Sequence, residues 1–231
     1  AAKPSLVEKY RRKPGAGRKK NNPELAAMLE SLDDGVGILR HKLAELGIAD
    51  RTVIVFTSDN GGELNVTTNA PLRGGKSQLY EGGIRVPLLI LWPAKTVPGS
   101  VCDVPVSSVD FLPTFLEMAG VPPDPKQPLD GESLVPLLSQ SGRLRRDTLF
   151  WYYPLAKPHF LGGRSAAAVR RGDIKLIEFL DTGHCELYNL HADPCERTDL
   201  APRRTGEVAE LRELLDSWRR GVRAPPAQTP R

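Results

Sequence analysis

The strongest constraint on the fold is a pair of short, uninterrupted apolar runs at residues 52–57 (TVIVFT) and 86–92 (VPLLILW). Such runs, rich in β-branched and aromatic residues, are typical of strands that are buried on both faces of a sheet. Two strands of this kind make too narrow a sheet to cover their own faces and edges. The sequence therefore predicts part of an α/β layer that other segments must complete.

A long amphipathic helix is predicted before the first run. Asn22 is suited to cap the helix, Pro23 to occupy its first position, and Gly47 to end it. A helix, a short loop and a buried strand in succession are typical of the α/β class. Apolar residues recur at steps of three to four along the helix and form one stripe: Met28, Leu32, Val36, Leu39, Leu43 and Leu46.

The pattern changes near residue 146, where short alternating segments replace the long apolar runs. Tight-turn residues separate these segments, which predicts an antiparallel meander. The strand candidates are 148–153, 165–170, 174–179 and 186–190, and a final helix carries Val208, Leu211, Leu215 and Trp218 on one face. The predicted division is an incomplete α/β domain at 1–145, a small antiparallel α+β subdomain at 146–222 and a disordered tail at 223–231.

Charge, hydropathy and cysteine content bear on four possibilities: a nucleic-acid partner, a membrane span, a disulfide and a zinc site. Lys and Arg outnumber Asp and Glu by 32 to 28, and the basic excess of residues 1–20 lacks a nucleic-acid motif, so we expect a solvated segment and no nucleic-acid partner. No apolar stretch approaches the roughly 20 residues of a membrane span. Cys185 and Cys195 could pair in an oxidising compartment or, with His184 and His191, bind zinc at an atypical spacing. These alternatives stay open.

A candidate metal site follows the first apolar run, at Asp59-Asn60-Gly61-Gly62. Ligands of open α/β sheets bind beyond the carboxyl ends of strands. A carboxylate beside an amide oxygen suits Ca²⁺ or Mg²⁺, and the two glycines permit a sharp turn. The alternative is a plain turn that ends the strand, since these are also favoured turn residues.

A candidate anion site lies in the loop that joins the two apolar runs. Its sequence, PLRGGKSQLYEGGIRVP at residues 71–87, holds four glycines that could form a nest of backbone N–H groups. Lys76 adds a positive charge, and a lysine converging with a cation would neutralise a tetrahedral oxyanion. The alternative is a flexible surface loop.

Together, TSDNGG at 57–62 and RGGKSQLYEGGIRVP at 73–87 closely resemble the sulfatases of the alkaline-phosphatase-like superfamily, of the arylsulfatase A type. Further family landmarks follow in the expected order: DFLPTF at 110–115, DGESLVPLL at 130–138, GDIKLI at 172–177 and ELYNL at 186–190. The resemblance implies a partial alkaline-phosphatase-like mixed-sheet core followed by the small subdomain.

The resemblance also implies roles for particular residues. Asp59 and Asn60 match calcium ligands of the family, with magnesium the less expected ion, and Lys76 matches the catalytic lysine that contacts the substrate sulfate. Tyr80, Glu81 and Arg85 are expected to shape the loop around Lys76. The implied substrates are sulfate esters of carbohydrates or aryl alcohols, and the implied compartments are periplasmic, secreted or lysosomal.

The chain departs from the family because it lacks the motif that supplies the nucleophile. The family nucleophile is a formylglycine made within a Cys/Ser-x-Pro-x-Arg motif, which no segment here matches. We therefore expect the C-terminal portion of a sulfatase, inactive alone, with the nucleophile upstream. The alternatives are a phosphate or phosphonate ester hydrolase of the same superfamily and a non-catalytic remnant. His159 is either a substrate contact or a surface histidine, and nothing indicates the oligomeric state.

Overall fold

Helices and a two-stranded ribbon form the first half of the chain in the computed structural model, which describes residues 2–17 and 21–226. The ribbon pairs β1 and β2 antiparallel, with Ile54 opposite Leu91. Between the strands, the loop contains a single helical turn, α3. The element bounds are α1 Pro4–Arg11, α2 Pro23–Glu45, β1 Ile54–Thr57, α3 Glu81–Ile84 and β2 Leu88–Leu91.

The long helix α2 begins and ends as the sequence predicts. The Asn22 side chain accepts hydrogen bonds from the backbone N–H groups of Glu24 and Leu25, and Gly47 adopts a φ of 64°. Its apolar stripe is largely uncovered, since Leu39 is 66% exposed. The helix α1, which was not predicted, packs against α2 and carries part of the basic run.

The prediction that both apolar runs are buried on two faces is wrong for this ribbon. Phe56 is 38% exposed and Leu89 is 59% exposed. The physical reason is that, among the residues described, β1 pairs with β2 alone, so the other edge and much of both faces stay open.

The second half forms the predicted antiparallel meander, in the strand order β3-β4-β5-β6. Gly172 and Gly183 adopt positive φ in two of its turns, where glycine carries no steric penalty. The helix α6 packs Leu211 and Leu215 onto one sheet face. The bounds are β3 Thr148–Tyr153, β4 Ala166–Arg171, β5 Ile174–Phe179, β6 His184–Asn189 and α6 Thr205–Gly221.

The other face of this sheet packs against the loop between β1 and β2. A cluster that includes Ile177 and Tyr188 contacts the partly buried Leu79 and Tyr80 of that loop. The four-stranded sheet is therefore a two-sided core, with a helix on one face and the candidate anion-binding loop on the other.

Two short helices, α4 (Phe111–Met118) and α5 (Val135–Leu138), connect the halves. The fully buried Asp110 accepts hydrogen bonds from the backbone N–H groups of Ser107 and Glu132 and a two-pronged contact from Arg146. This carboxylate therefore fixes the start of α4 against the segment that leads into β3.

The structure also bears on the predictions for the cysteines, a metal cluster, a membrane span and the C-terminal tail. Cys185 and Cys195 carry free thiols. In the part of the chain that is described, no three or more His, Cys, Asp or Glu side chains are grouped to hold a metal, and no helix is long and apolar enough to cross a membrane. The Tyr152 hydroxyl donates to the Pro225 carbonyl, while residues 227–231 of the predicted disordered tail lie outside the described residues.

Candidate anion and cation site

The Asp59-Asn60 turn follows directly after β1. The Ser58 hydroxyl donates to the Asn60 carbonyl at 2.9 Å, and Asn60 Nδ2 donates to the Gly61 carbonyl at 3.1 Å. Because Nδ2 is turned to the backbone, the acceptor Oδ1 is the atom of Asn60 that remains for a ligand. The Asp59 carboxylate is exposed and forms no ion pair with the described residues.

Backbone hydrogen bonds join this turn to the loop that carries Lys76. Gly61 N–H donates to the Gly83 carbonyl at 2.9 Å, and Lys76 N–H donates to the Gly62 carbonyl at 3.1 Å. A Cβ atom on Gly75 would lie 2.5 Å from the Gly62 oxygen, so the approach requires glycine there. The two segments singled out in the sequence are thus neighbours, although the roles of Asp59, Asn60 and Lys76 stay predictions.

Asn69 clamps the same two segments. Its Nδ2 donates to the Gly62 carbonyl at 2.9 Å and to the Gly74 carbonyl at 3.0 Å, while its Oδ1 accepts from Gly62 N–H at 3.0 Å. Asn69 was not predicted from the sequence as a site residue. A single asparagine in a polar segment gives no periodic signal, and the close glycines on either side were the available hint.

Lys76 occupies a tight turn whose conformation is strained. Gln78 N–H donates to the Gly75 carbonyl at 3.0 Å, which places Lys76 and Ser77 at the two central positions. Ser77 has a φ of 74°, a region that costs a residue with a side chain about 1–2 kcal/mol. Such strain is found where function demands a geometry. The exposed Lys76 ammonium forms no ion pair within the described ranges.

A second loop, residues 154–164 between β3 and β4, packs against this turn. A Cβ atom on Gly163 would lie 2.1 Å from the Ser77 carbonyl oxygen, and Gln78 Nε2 donates to the Gly162 carbonyl at 3.4 Å. The loop carries His159, whose Nδ1 accepts from Leu161 N–H at 3.2 Å. This contact occupies Nδ1 and leaves Nε2 as the ring nitrogen that remains for a ligand.

Beneath the loop lies a buried ionic triad of Glu81, Lys175 and Glu196. Lys175 Nζ is 2.9 Å from a carboxylate oxygen of each glutamate, and all three residues are almost fully buried. Glu196 Oε2 also accepts from Glu81 N–H at 2.6 Å. Burial raises the pKa of Glu196 above its ordinary value, and the opposing effect of the Lys175 ammonium is too small to cancel this rise.

A second polar cluster anchors Arg73, at the stem of the loop. The guanidinium carbon lies 4.0 Å from the centre of the Tyr80 ring, and Nη1 donates to the Tyr188 hydroxyl at 2.6 Å. Both tyrosine hydroxyls donate to Glu186 Oε2, at 2.8 and 2.7 Å. Burial, and then the hydrogen bond to Glu186, raises the pKa of each tyrosine, so both stay protonated donors.

The side chains of Asp59 and Asn60 offer oxygen atoms of the type that Ca²⁺ prefers, but too few to complete its coordination shell. Ca²⁺ takes roughly six to eight oxygen ligands, whereas Asp59 and Asn60 offer two side chains. Among the described residues, no group of three or more His, Cys, Asp or Glu side chains is placed to hold a metal, so the rest of the shell would come from other oxygen donors or water. The chemistry of the pair therefore suits calcium as part of a larger coordination shell.

Comparison with known proteins identifies the family. The model of the family described as Sulfatase matches residues 2–121, and that described as N-sulphoglucosamine sulphohydrolase, C-terminal, matches residues 75–220. A sulfatase of Formosa agariphila is 36% identical over 84% of this chain and 38% of its own length. Arylsulfatase A of Homo sapiens is 34% identical over 81% of this chain and 41% of its own length. The chain thus spans about two fifths of these relatives.

Solved structures show the same fold. The crystal structure of Ps i-CgsB superposes with a TM-score of 0.81 at 29% identity, over 94% of this chain and 46% of that one. BT4656, solved in complex with its substrate D-glucosamine-2-N,6-O-disulfate, gives a TM-score of 0.74 at 29% identity, over 89% of this chain and 42% of its own. The predicted partial alkaline-phosphatase-like core with its antiparallel subdomain is confirmed. This chain belongs to the sulfatase family.

Proposed function

We propose that the protein is a sulfuric ester hydrolase and that this chain supplies the cation-binding turn and the anion-binding lysine of its active site. The observation that carries the proposal is the pair of backbone hydrogen bonds from Gly61 to Gly83 and from Lys76 to Gly62. They hold the two motifs side by side, as one tetrahedral anion between a cation and a lysine requires. Sulfated carbohydrates or aryl sulfates are the proposed substrates, since BT4656 is described with a sulfated sugar.

Each residue has a defined task in this proposal. Asp59 and Asn60 would hold Ca²⁺ through Oδ atoms, with Mg²⁺ the less favoured ion because it demands a stricter octahedral shell. When bound, the cation withdraws electron density from the sulfate ester. The Lys76 ammonium neutralises charge that develops on the anion. His159 Nε2–H, on the neighbouring loop, is a candidate donor to the substrate.

The active protein would need a further segment. No residue here lies in a formylglycine motif, so the nucleophile and the remaining metal ligands are proposed to precede this chain. The same segment would cover the open faces of β1 and β2 and the apolar stripe of α2, where Leu39 is 66% exposed. Residues 1–145 would then be the end of the large domain, and residues 146–222 a small subdomain.

One observation favours a second candidate function. A phosphonate monoester hydrolase of Agrobacterium radiobacter superposes with a TM-score of 0.67 at 27% identity. The pocket proposed here suits any tetrahedral oxyanion, so a phosphonate or phosphate ester is the alternative substrate class. A non-catalytic remnant that retains the pocket is the other alternative.

The test compares two lysine variants of the complete protein, Lys76→Met and the exposed control Lys95→Met. With calcium present, 4-nitrophenyl sulfate is expected to be hydrolysed faster than a 4-nitrophenyl phosphonate ester. Lys76→Met should lower kcat/KM by about 100-fold or more, the scale seen when one transition-state contact is lost, and Lys95→Met should change it by less than twofold. Calcium chelation and Asp59→Asn should each abolish most of the activity.

Two results would contradict the proposal. Faster turnover of the phosphonate ester would move the assignment to the second candidate. Turnover of an aryl sulfate by the isolated 231-residue chain would show that the nucleophile lies within it.

A further inference from the structure

The feature that the proposed function leaves unexplained is the buried triad of Glu81, Lys175 and Glu196. We propose that Lys175 is a positioning residue for Lys76 and for the Asp59-Asn60 turn, acting through Glu81. The proposal rests on the proposed role of the Lys76 pocket and adds that the small subdomain sets its geometry.

The location of Lys175 is costly unless it has a specific use. Its side chain has 0% exposure, and it projects from β5 on the sheet face that packs against the Lys76 loop. Taking an ammonium out of water costs several kcal/mol, and a well-packed apolar residue is often as stabilising as a buried ion pair. The role of the buried lysine at this contact is therefore to fix one arrangement of the loop, more than to stabilise the fold.

A continuous set of contacts leads from Lys175 to both motifs. Glu81 is the first residue of α3, and the next two residues carry the connection. Gly82 N–H donates to the Arg73 carbonyl at 2.7 Å, and the Gly83 carbonyl accepts from Gly61 N–H at 2.9 Å. Holding Glu81 thus holds the stem of the Lys76 turn on one side and the end of the Asp59-Asn60 turn on the other.

The packing along this path leaves little freedom. A Cβ atom on Gly82 would lie 2.3 Å from the Gly74 carbonyl oxygen, and one on Gly83 would lie 2.0 Å from the Gln78 carbonyl oxygen. Both contacts are backbone to backbone, so a displacement of α3 cannot be absorbed by a side-chain rotation. We infer that a shift of Glu81 moves the backbone on either side of Lys76.

The charges of the triad explain why the ammonium is needed. Two carboxylates, on Glu81 and Glu196, face one ammonium, and the Arg73 guanidinium contacts the Glu196 carbonyl oxygen at 3.1 Å rather than its carboxylate. Without Lys175, two buried carboxylates would repel each other across the joint between loop and subdomain. Loss of the lysine is therefore expected to displace α3 and loosen the loop.

The test uses Lys175→Met and Glu81→Leu in the complete protein, with Arg212→Met as the matched control. Arg212 also pairs with a buried carboxylate of the sheet, Glu178 at 2.8 Å, but from α6 on the opposite face. Three quantities are measured: the dissociation constant of inorganic sulfate by calorimetry, amide hydrogen exchange at Lys76 and Gly82, and the Tm.

Lys175→Met is expected to weaken sulfate binding at least tenfold and to speed exchange at Lys76 and Gly82 at least tenfold. Arg212→Met should lower the Tm while changing both other quantities less than twofold. Unchanged sulfate binding and unchanged exchange in Lys175→Met would overturn the proposal, since the triad would then act on stability alone.

If Lys175→Met does not fold, Glu81→Leu decides in the same way, because leucine cannot accept from Lys175, while Lys175 and Glu196 still neutralise each other. Faster exchange at Gly82 supports the proposal, and unchanged exchange overturns it. If the wild-type protein binds no sulfate, the proposed function fails, and the exchange rates at Lys76 and Gly82 still decide whether Lys175 positions the loop.

Discussion

The β1–β2 ribbon and the four-stranded sheet show two different ways in which strands of this chain are held. In the ribbon, Phe56 is 38% and Leu89 59% exposed, and the adjoining loops are fixed by polar contacts such as those of Asn69. In the sheet, Leu176 and Leu187 have 0% exposure and pack beneath α6. The apolar side chains of the ribbon are thus partly exposed, whereas those between the sheet and α6 form a fully buried core.

Stability and the proposed site reside in different parts of the molecule. Burial of apolar surface is the main favourable term in folding, so the sheet with α6 should be the stable unit. The candidate site lies on the ribbon side, in a glycine-rich loop with little apolar content. It is held from below by the sheet through Tyr80 and Glu81. The stable unit therefore serves as the support for the loop that carries Lys76.

A matched pair of leucine truncations in the 231-residue chain should show the largest difference between the two regions. Leu187→Ala should lower the free energy of unfolding by about 2–5 kcal/mol, because it leaves a cavity in the core. Leu39→Ala should change it by less than about 0.5 kcal/mol, because that side chain is 66% exposed. Urea denaturation measures both. Equal losses would show that the two regions do not differ as described.

A smaller effect on stability is expected from pH, because two buried carboxyl groups have opposite pKa shifts. The pKa of Asp110 is lowered and that of Glu196 is raised. Burial would raise the pKa of Asp110, but Arg146 and the N–H groups of Ser107 and Glu132 outweigh it, so the pKa is lowered. Its stabilising contribution is present above the ordinary value of about 3.9 and is lost as the pH falls through the lowered value. Asp110→Asn should therefore lower stability at neutral pH, with the loss shrinking in acid.

Glu196 has the opposite sign, because burial raises its pKa. The native state then binds the proton more tightly than the unfolded state, so this group lowers stability as the pH rises from about 4.3 through the raised value. The charged neighbours that face it are Lys175 and Glu81. Relative to the wild type, Glu196→Gln should gain stability from pH 4 to neutral. Urea denaturation from acid well below pH 4 up to neutral pH tests both variants, because the Asp110 effect falls below about pH 3.9 and the Glu196 effect above about pH 4.3. Parallel pH profiles would refute the assigned signs.

Local patterns were enough to predict much of the second half of the chain. Turn glycines at 172 and 183 and the apolar face of α6 depend on neighbours in sequence, so the meander and its helix were predicted within a few residues. The caps of α2 are local in the same sense. The helix α1 was missed because its short, highly charged sequence resembles a solvated segment.

Long-range contacts account for what the sequence did not predict. The hydrogen bond from Glu81 to Glu196 spans 115 positions, and Lys175 looks like any polar residue that alternates along a strand. Likewise, the apolar composition of β1 and β2 predicts burial without saying whether the covering layer is present. For the site, the sequence identified Asp59, Asn60 and Lys76 through the family resemblance, whereas Asn69 and Gly163 emerge only from the fold.

The most direct measurement is a crystal structure of the complete protein with Ca²⁺ and inorganic sulfate. We expect oxygen atoms of Asp59 and Asn60 at about 2.3–2.6 Å from the cation. We also expect Lys76 Nζ within about 3.2 Å of an oxygen of the same bound sulfate. A cation bound elsewhere, or a sulfate that Lys76 does not contact, would contradict the proposed site.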